Sequence, residues 1–246
     1  MKKNFFGKLF RFALVLSLIL VCIYMFLNSA FFSVDKITYT GLNRLKEAEM
    51  KQLCKFTTGT NIFRLDSEFY AKDYAVHPMI KEVSIIKHIP RHIEVNITER
   101  VAWAVMPYKS KFLLIDDEGV CIDQAVQLEQ LEYPIITLDK MPENVYLGQP
   151  VNSQGVTVVK KVWDQLNDAA KNNSSDFHYI TEKEELIIYT TRGTEVRFGN
   201  LDRLDEKAAF LTQLIKIEDD MQNEGREVLQ YIDLRFKGQP VIKVQE

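Results

Sequence analysis

Residues 12–32 read FALVLSLILVCIYMFLNSAFF, and this stretch decides how the rest of the chain is organised. It lies within a run of 23 uncharged residues, 12–34, and a helix of that length crosses a hydrocarbon layer of about 30 Å. Four basic residues and no acidic residue precede the run: Lys2, Lys3, Lys8 and Arg11. Because positive charge stays on the cytoplasmic side, we predict a cytoplasmic tail over 1–11, a transmembrane helix over 12–34 and a body outside the cytoplasmic membrane.

A cleaved signal peptide is the competing interpretation, since it also begins with basic residues and continues with an apolar segment of about 7–15 residues. The run here is longer, and its best cleavage candidate, residues 28–30, places Asn28 where a small side chain is required. A lipid anchor on Cys22 is disfavoured because Val21 occupies another position that requires a small residue. We therefore favour an uncleaved, single-pass anchor in the cytoplasmic (inner) membrane.

The body that follows the anchor is acidic and contains enough residues for one or two domains with their own cores. Residues 35–246 hold 27 Lys and Arg against 34 Asp and Glu, a net charge of about −7. An acidic surface of mixed charge argues against nucleic acid and favours protein partners. Two cysteines of the body, Cys54 and Cys121, are compatible with a bridge or with two small buried thiols, and we favour the thiols.

The first part of the body, 35–100, is predicted to form a small three-stranded sheet with two helices on one face. Its clearest strand alternates apolar residues on one side with polar residues on the other. The apolar residues of that strand are Ile93, Val95 and Ile97. Asp66 is placed to cap the free amides of the second helix. The predicted elements are a strand over 33–40, helices over 46–56 and 66–77, and strands over 80–87 and 91–99.

The second part, 101–246, is predicted to be a mainly antiparallel β domain with two helices, so the fold class is α+β. The predicted strands are 103–106, 111–115, 120–122, 134–138, 177–181, 185–190 and 195–199, then a final hairpin of 228–236 and 239–244. Apolar residues at a spacing of three and four predict one helix over 153–170. A second helix is predicted to begin near Asp202 or Asp205 and to run to Met221, with Gly225 as its stop.

Four segments carry a resemblance to a known family. They are FFSVDKITYTGLNRLKEAEM (31–50), TNIFRLD (60–66), HPMIKEVSIIKHIPRHIEVNITER (77–100) and the ending LQYIDLRFKGQPVIKV (229–244). The first three resemble the POTRA domain that directly follows the anchor in FtsQ/DivIB bacterial cell-division proteins, and the last resembles the close of their β domain. The resemblance covers nearly the whole chain. It implies an anchor, a POTRA domain over 35–100 and a β domain over 101–246.

Catalytic and cofactor chemistry is not indicated by the sequence, so we predict that the chain is not an enzyme and takes no cofactor. Neither a glycine-rich phosphate loop nor a GxGxxG motif is present. The four histidines are His77, His88, His92 and His178. His88 and His92 have the spacing of a helical zinc pair, but Pro90 between them prevents the helix and no third ligand is evident. We interpret the histidines as surface residues.

The final hairpin is the candidate functional site. Its inward residues are predicted to be Ile232, Leu234 and Phe236, with Ile242 and Val244 packing on the same face. If 239–244 is the last strand of the sheet, its outer edge carries unpaired backbone N–H and C=O groups. Either Pro240 and Lys243 protect this edge from pairing, or a partner strand docks along it. The resemblance favours docking, because relatives bind small bitopic division proteins there. The candidate partner-binding residues are Tyr231, Asp233, Arg235, Gln239, Val241 and Lys243.

The resemblance implies a single-pass division protein at the septum. It would be a scaffold that binds the bitopic partners FtsB/DivIC and FtsL near the septal peptidoglycan synthase. A POTRA-bearing outer-membrane assembly or secretion component is the alternative, and it would need a cleaved signal and lipid-facing strands of about ten residues. A third possibility, an anchored wall hydrolase, would need a catalytic constellation that the sequence does not offer.

Overall fold

The computed structural model of the chain describes residues 2–128, 133–223 and 229–244. The chain forms two compact units, Met1–Glu99 and Arg100–Glu246, which we call unit 1 and unit 2. Unit 1 contains the apolar N-terminal helix and a small sheet. Unit 2 contains two sheets and three helices over the described residues.

Helix α1 spans Lys2–Leu27. Its segment Gly7–Leu27 is 21 residues long, with a mean hydropathy of 2.5, which is long and apolar enough to cross a membrane. The helix ends seven residues before the predicted end at Val34. The reason is that the last apolar residues belong to the folded body, since Phe32 and Val34 are buried in the core of unit 1. A single 3₁₀ turn, Ala30–Phe32, joins the helix to that core.

The rest of unit 1 contains the predicted three strands and two helices. These elements are β1 (Lys36–Thr40), α2 (Glu47–Leu53), α3 (Ser67–Tyr74), β2 (Ile80–His88) and β3 (His92–Glu99). The strand order is β1-β3-β2, with β1 parallel and β2 antiparallel to the central strand β3. Strand β1 begins at Lys36, three residues after the predicted start, because Val34 is buried in the core before the pairing with β3 starts.

Local sequence signals account for the elements of unit 1. The carboxylate of Asp66 accepts hydrogen bonds of 3.1 Å from the amides of Glu68 and Phe69, which caps α3 as predicted. The alternation of β3 places its apolar residues against the helices, and Met50 of α2 and Tyr74 of α3 are fully buried. One face of the sheet is therefore covered by the two helices.

Unit 2 is built on nine described strands in two sheets. They are β4 (Ala104–Tyr108), β5 (Lys111–Ile115), β6 (Cys121–Ala125), β7 (Ile136–Leu138), β8 (Ser174–Ile180), β9 (Glu185–Thr190), β10 (Glu195–Gly199), β11 (Leu229–Asp233) and β12 (Val241–Val244). The small sheet has the order β4-β5-β6, and the large sheet has the order β12-β11-β10-β9-β8-β7. Two pairs in the large sheet are parallel, β7 with β8 and β10 with β11, and the others are antiparallel.

Unit 2 has three described helices where two were predicted. They are α4 (Ser153–Gln165), α5 (Asp168–Asn173) and α6 (Leu204–Asn223). The helix predicted over 153–170 is divided because Leu166 is extended and the side chain of Asn167 accepts a 2.9 Å hydrogen bond from the amide of Ala170. Asn167 thereby starts a new helix. The predicted stop at Gly225 and the predicted strand start at Val228 lie outside the described residues.

The core of unit 2 lies between the helices and one face of the sheets. Helix α4 contributes Val156, Val159 and Val162, and α6 contributes Ala208, Leu211, Leu214 and Ile215. The facing sheet residues include Phe177, Tyr179, Leu186, Ile188, Val196, Phe198 and Ile232. Strands β8 to β11 are therefore covered by helices on one face, while polar and half-buried residues occupy the other.

Candidate functional site

Strand β12 lies at the edge of the large sheet and is paired along one side only. It runs antiparallel to β11, with Tyr231 opposite Lys243, Ile232 opposite Ile242, and Asp233 opposite Val241. Among the described residues, no strand pairs with its other side. The N–H and C=O groups along that side are therefore free to pair with another extended segment.

The side chains of β12 lie outside the core. All four are exposed, so the prediction that Ile242 and Val244 pack inward is wrong; they are 47 % and 38 % exposed. The core ends one strand earlier, because Ile232 and Leu234 are buried. Phe236 was also predicted to face inward and is 62 % exposed. The edge thus presents apolar side chains beside an open backbone.

Tyr231 belongs to the face of the sheet that the helices do not cover. The guanidinium carbon of Arg197, from β10, lies 4.3 Å from the centre of the Tyr231 ring, a cation–π contact. Arg197 also donates a 2.7 Å hydrogen bond to Glu195, which raises the pKa of its guanidinium. The Tyr231 ring is half-buried as a result, and it lies beside Lys243 of the edge strand.

Asp233 is an internal residue, which corrects its prediction as an outward one. It is only 4 % exposed. Its carboxylate accepts hydrogen bonds from the backbone amide of Arg235 at 3.0 Å and from the Arg235 guanidinium at 3.0 and 2.7 Å. The Arg235 guanidinium is the main cause that holds the pKa of the Asp233 carboxyl below its usual range. Asp233 therefore fixes the chain just after β11.

Arg235 is exposed, but its guanidinium is engaged within the protein. Besides Asp233, it lies 3.6 Å from the carboxylate of Glu185 on β9. Its side-chain stem crosses Gly199, where a Cβ atom would stand 2.7 Å from Cγ of Arg235. Gly199 has a φ of +75°. The glycine thus meets two requirements, a left-handed backbone and space for the arginine.

Arg203 holds the connection between β11 and β12. Its Nη2 donates to the carbonyls of Leu234, Arg235 and Phe236 at 3.0, 3.3 and 3.1 Å. Arg203 was not predicted from the sequence. The local sequence pattern does not indicate that a basic residue just before α6 contacts carbonyl groups 31 to 33 positions later in the chain. Only the parallel pairing of β10 with β11 brings the two together.

A groove of about 260 Å³ lies between α6 and this connection. Its apolar lining includes Phe210, Leu234, Phe236 and Pro240, and Arg203 and Lys207 also line it. Lys207 is almost completely buried and donates a 2.6 Å hydrogen bond to Asp202, which lowers the pKa of the Asp202 carboxyl. Glu206 also lines the groove and pairs with Arg203 at 3.4 Å, so the groove combines apolar side chains with two ion pairs.

The structure gathers the six predicted partner-binding residues in one hairpin, but with different accessibility. Gln239, Val241 and Lys243 are exposed, Tyr231 is half-buried, and Asp233 is buried. The hairpin places one open strand edge next to the exposed apolar side chains of Ile242 and Val244. The arrangement is suited to pairing with an extended peptide.

The histidines and acidic residues form small hydrogen-bonded groups. His88 stacks on His92 with ring centres 5.1 Å apart, and its Nε2 lies 2.7 Å from the carboxylate of Glu94. Over the described ranges, no group of three or more His, Cys, Asp or Glu residues is arranged to hold a metal ion. Both thiols of the body are free, and burial raises the pKa of Cys121 to about 11.

A further polar group, which the sequence analysis missed, lies on the uncovered face of the large sheet. The hydroxyl of Thr137 donates a 3.0 Å hydrogen bond to Asp176 and lies 2.9 Å from Nδ1 of His178. Burial raises the pKa of the Asp176 carboxyl. The hydroxyl stands between the acid and the imidazole. In a nucleophilic relay the imidazole would stand between the acid and the hydroxyl, so the geometry is not that of a relay.

Two family models match the chain. The POTRA domain, FtsQ-type, matches residues 32–100, and the model described as cell division protein FtsQ/DivIB, C-terminal, matches residues 104–235. The second match alone covers more than half of the chain. It ends before β12 and therefore does not include that strand.

Named relatives agree with these matches. The chain is 22 % identical to the cell division protein DivIB of Clostridium botulinum (strain Loch Maree / Type A3), over 95 % of this chain and 90 % of the relative. It is 25 % identical to the cell division protein FtsQ of Myxococcus fulvus, over 72 % of this chain and 62 % of the relative. A solved structure of the major extracytoplasmic domain of DivIB from Geobacillus stearothermophilus is 15 % identical, with a TM-score of 0.33, and covers 51 % of this chain and 97 % of that domain.

Proposed function

Because this chain belongs to the FtsQ/DivIB family of cell-division proteins, we propose that it is a bitopic scaffold of the division complex, acting through protein contacts and without catalysis of its own. The family consists of cell-division proteins rather than a known enzyme family, and one N-terminal apolar helix fits a single-pass membrane anchor. Family membership does not favour the alternative of an outer-membrane assembly component.

The single observation that carries the proposal is the open edge of β12. An extended partner segment would form backbone hydrogen bonds along that edge, and its alternate side chains would contact the two faces beside it. On one face these contacts are Lys243 and the Tyr231–Arg197 pair. On the other they are the exposed Ile242 and Val244.

The partners we propose are bitopic division proteins of the FtsB/DivIC and FtsL type. Their ectodomains would bind at β12, and the complex would link them to septal peptidoglycan synthesis. The support for these particular partners is the resemblance of the chain to the family. For this geometry, α1 would span the cytoplasmic membrane with residues 1–11 in the cytoplasm, and the rest of unit 1 and all of unit 2 would lie outside it, at the division septum.

Proline substitution across β12 tests strand pairing directly, because proline removes a backbone N–H. In an antiparallel strand successive N–H groups alternate between the neighbouring strand and the outer side. We therefore expect prolines at alternate positions of Val241–Val244 to reduce capture of the purified partner ectodomains by about tenfold or more, while thermal unfolding is unchanged. The remaining positions should weaken the pairing with β11 as well.

The matched control is alanine at the same positions, which keeps every N–H group and removes the side chain. The comparison separates backbone pairing from side-chain contact. The measurement uses the full chain in nanodiscs, with the partner ectodomains titrated by fluorescence anisotropy. Unchanged capture by all four proline variants would remove the docking strand and leave the family membership intact.

The division role itself is tested by depletion in the source cell. We expect long filaments without septa, because the proposed scaffold would no longer bring its division partners together. Restoration of septa by the wild-type chain, but not by a capture-deficient proline variant, would tie the phenotype to β12. Normal septation after depletion would contradict the role.

A further inference from the structure

Four phenylalanine rings meet where the end of α1 contacts the folded part of unit 1. The centres of neighbouring rings are 5.7 Å apart for Phe26 and Phe31, 5.0 Å for Phe31 and Phe32, and 4.9 Å for Phe32 and Phe63. Phe32 is buried, but the other three are about half exposed. We call Phe26, Phe31 and Phe63 the aromatic patch. Exposed aromatic side chains grouped in this way indicate a surface that contacts another protein or a membrane.

The aromatic patch is fixed to the end of the membrane-spanning segment. The side chain of Asn61 donates a 2.8 Å hydrogen bond to the carbonyl of Leu27, the last residue of α1. Arg64 donates a 2.6 Å hydrogen bond to the side chain of Asn28. The loop 61–64 therefore lies against the last turn of α1. Phe63, in the middle of that loop, is held at the same level as the helix end.

The length of the apolar segment places this level at the edge of the hydrocarbon. The uncharged part of α1 after Arg11, residues 12–27, is about 24 Å long, slightly shorter than the hydrocarbon layer of about 30 Å, so the residues just after Leu27 lie at the far boundary of that layer. Rings just beyond it lie in the headgroup region, where apolar side chains of surface-bound segments are buried by about 5–10 Å. Arg64 is exposed and bonded to an uncharged amide, so its guanidinium is placed to contact a phosphate.

We infer that the aromatic patch seats unit 1 on the phospholipid surface, with Phe31 and Phe63 in the headgroup layer and Arg64 bonded to lipid phosphate. The occupant is the bilayer that α1 already enters. The inference rests on α1 as a membrane anchor and is independent of docking at β12. Its consequence is that unit 1 adopts a fixed orientation on the membrane, since a loop distant in sequence contacts the bilayer as well as the helix.

A tryptophan placed at residue 63 reports which medium the ring occupies. The full chain carrying Phe63→Trp is reconstituted into vesicles of phosphatidylglycerol and phosphatidylcholine brominated on the acyl chains. The emission of the native Trp103 and Trp163 is measured in the unsubstituted chain and subtracted. The matched control is Val76→Trp, at a position of the same unit that is 78 % exposed and follows α3.

We expect bromolipid to lower the added emission of Phe63→Trp at least about twofold and iodide in the water to have little effect, because the ring lies on the acyl-chain side of the headgroup layer, within reach of the bromines. The added emission of Val76→Trp should respond in the opposite way. Adding Arg64→Gln to Phe63→Trp should reduce the quenching by bromolipid.

Three results would overturn the inference. Quenching of Phe63→Trp by iodide and not by bromolipid would place the ring in water. Protection from both quenchers would indicate contact with a second copy of the chain. Equal quenching of Phe63→Trp and Val76→Trp by bromolipid would indicate general adsorption instead of a specific patch. A failed proline scan at β12 would leave this measurement unaffected.

Discussion

Strands β3 and β12 both alternate in sequence, yet one is the centre of a sheet and the other is an open edge. In β3, Ile93, Val95 and Ile97 are buried between two neighbouring strands and two helices. In β12, all four side chains are exposed and one neighbour is present. Alternation therefore predicts an extended strand, but the neighbouring layers decide whether its apolar residues are buried. Of these two strands, only β12 has a side that no other described strand pairs with.

The largest effect we expect comes from Gly41, which packs against β3, and the matched comparison is Gly199, at the end of β10 beside the Arg235 side chain that precedes β12. A Cβ atom at Gly41 would lie 2.0 Å from the carbonyl oxygen of Ile97, in the rigid backbone of β3, and the φ of Gly41 is +78°. Gly41→Ala should destabilise unit 1 by about 4 kcal/mol or more. Gly199→Ala meets the flexible Arg235 side chain and should cost about 1–2 kcal/mol. Thermal unfolding of the full chain in detergent, followed by circular dichroism, measures both. Equal losses would contradict the contrast between a rigid centre and an adjustable edge.

Alanine substitutions on the two strands test the difference in burial. Ile93→Ala removes a fully buried side chain and should cost about 2–5 kcal/mol, whereas Ile242→Ala should change stability by less than about 0.5 kcal/mol. In a small domain each 1 kcal/mol moves the melting temperature by roughly 4–8 °C. Both variants are compared by the same unfolding measurement. A loss for Ile242→Ala as large as that for Ile93→Ala would show that β12 is covered within the protein.

Acid should weaken both regions, since each depends on a carboxylate at a strand end. Burial raises the pKa of Glu99, but hydrogen bonds from the amides of Leu45, Arg44 and Asn43 outweigh it, so its pKa is lowered. The pKa of Asp233 is lowered by Arg235. A lowered pKa gives stability that is present above the unfolded value of about 4 and is lost as the pH falls through the folded value.

The melting temperature between pH 6 and pH 2 measures this acid dependence. At pH 7, Glu99→Gln and Asp233→Asn should each cost about 1–2 kcal/mol and should show a smaller further loss in acid than the wild-type chain. An unchanged acid profile in either variant would mean that its carboxylate does not contribute. Lys140→Gln provides a control, because Lys140 is an exposed cation that pairs with the exposed Glu182.

The smallest effect on stability, and an informative one for binding, is expected at Lys243. Lys243→Ser alters an exposed residue of the edge strand, so stability should change by less than about 0.5 kcal/mol. Capture of partner ectodomains should weaken by a few-fold, because Lys243 is the charged side chain opposite Tyr231. Stronger capture by Lys243→Ser would instead indicate that the lysine protects the edge against pairing.

The elements most accurately predicted from the sequence are those beside a clear turn signal. The bounds of β5, β9 and β10 match the prediction to the residue; a turn with Gly119 follows β5, and a turn with Gly193 joins β9 to β10. The cap on α3 was also predicted, since Asp66 acts on amides two and three residues away. These features depend on interactions between near neighbours in the chain.

The features that were missed depend on competition between distant parts of the fold. The apolar run up to Val34 was assigned to the membrane although the predicted first strand and the resemblance to the POTRA domain overlapped its end, and Phe32 and Val34 belong to the protein core. Asp233 was placed outward by alternation, and only its pairing with Arg235 makes it internal. The open edge of β12 was anticipated, but the absence of a covering layer beneath Ile242 required the three-dimensional arrangement.

The three hydrogen bonds from Arg203 have a consequence for the rate and strength of association. Fixing the backbone of a mobile segment costs roughly 1–2 kcal/mol per residue in conformational entropy. Here the chain leading into β12 is already restrained by carbonyl contacts at Leu234, Arg235 and Phe236. That ordering is completed when unit 2 folds, so an arriving peptide loses only its own conformational freedom. If a partner peptide docks at β12 as proposed, preorganisation of this kind would help a strand of four residues act as its template despite the small area.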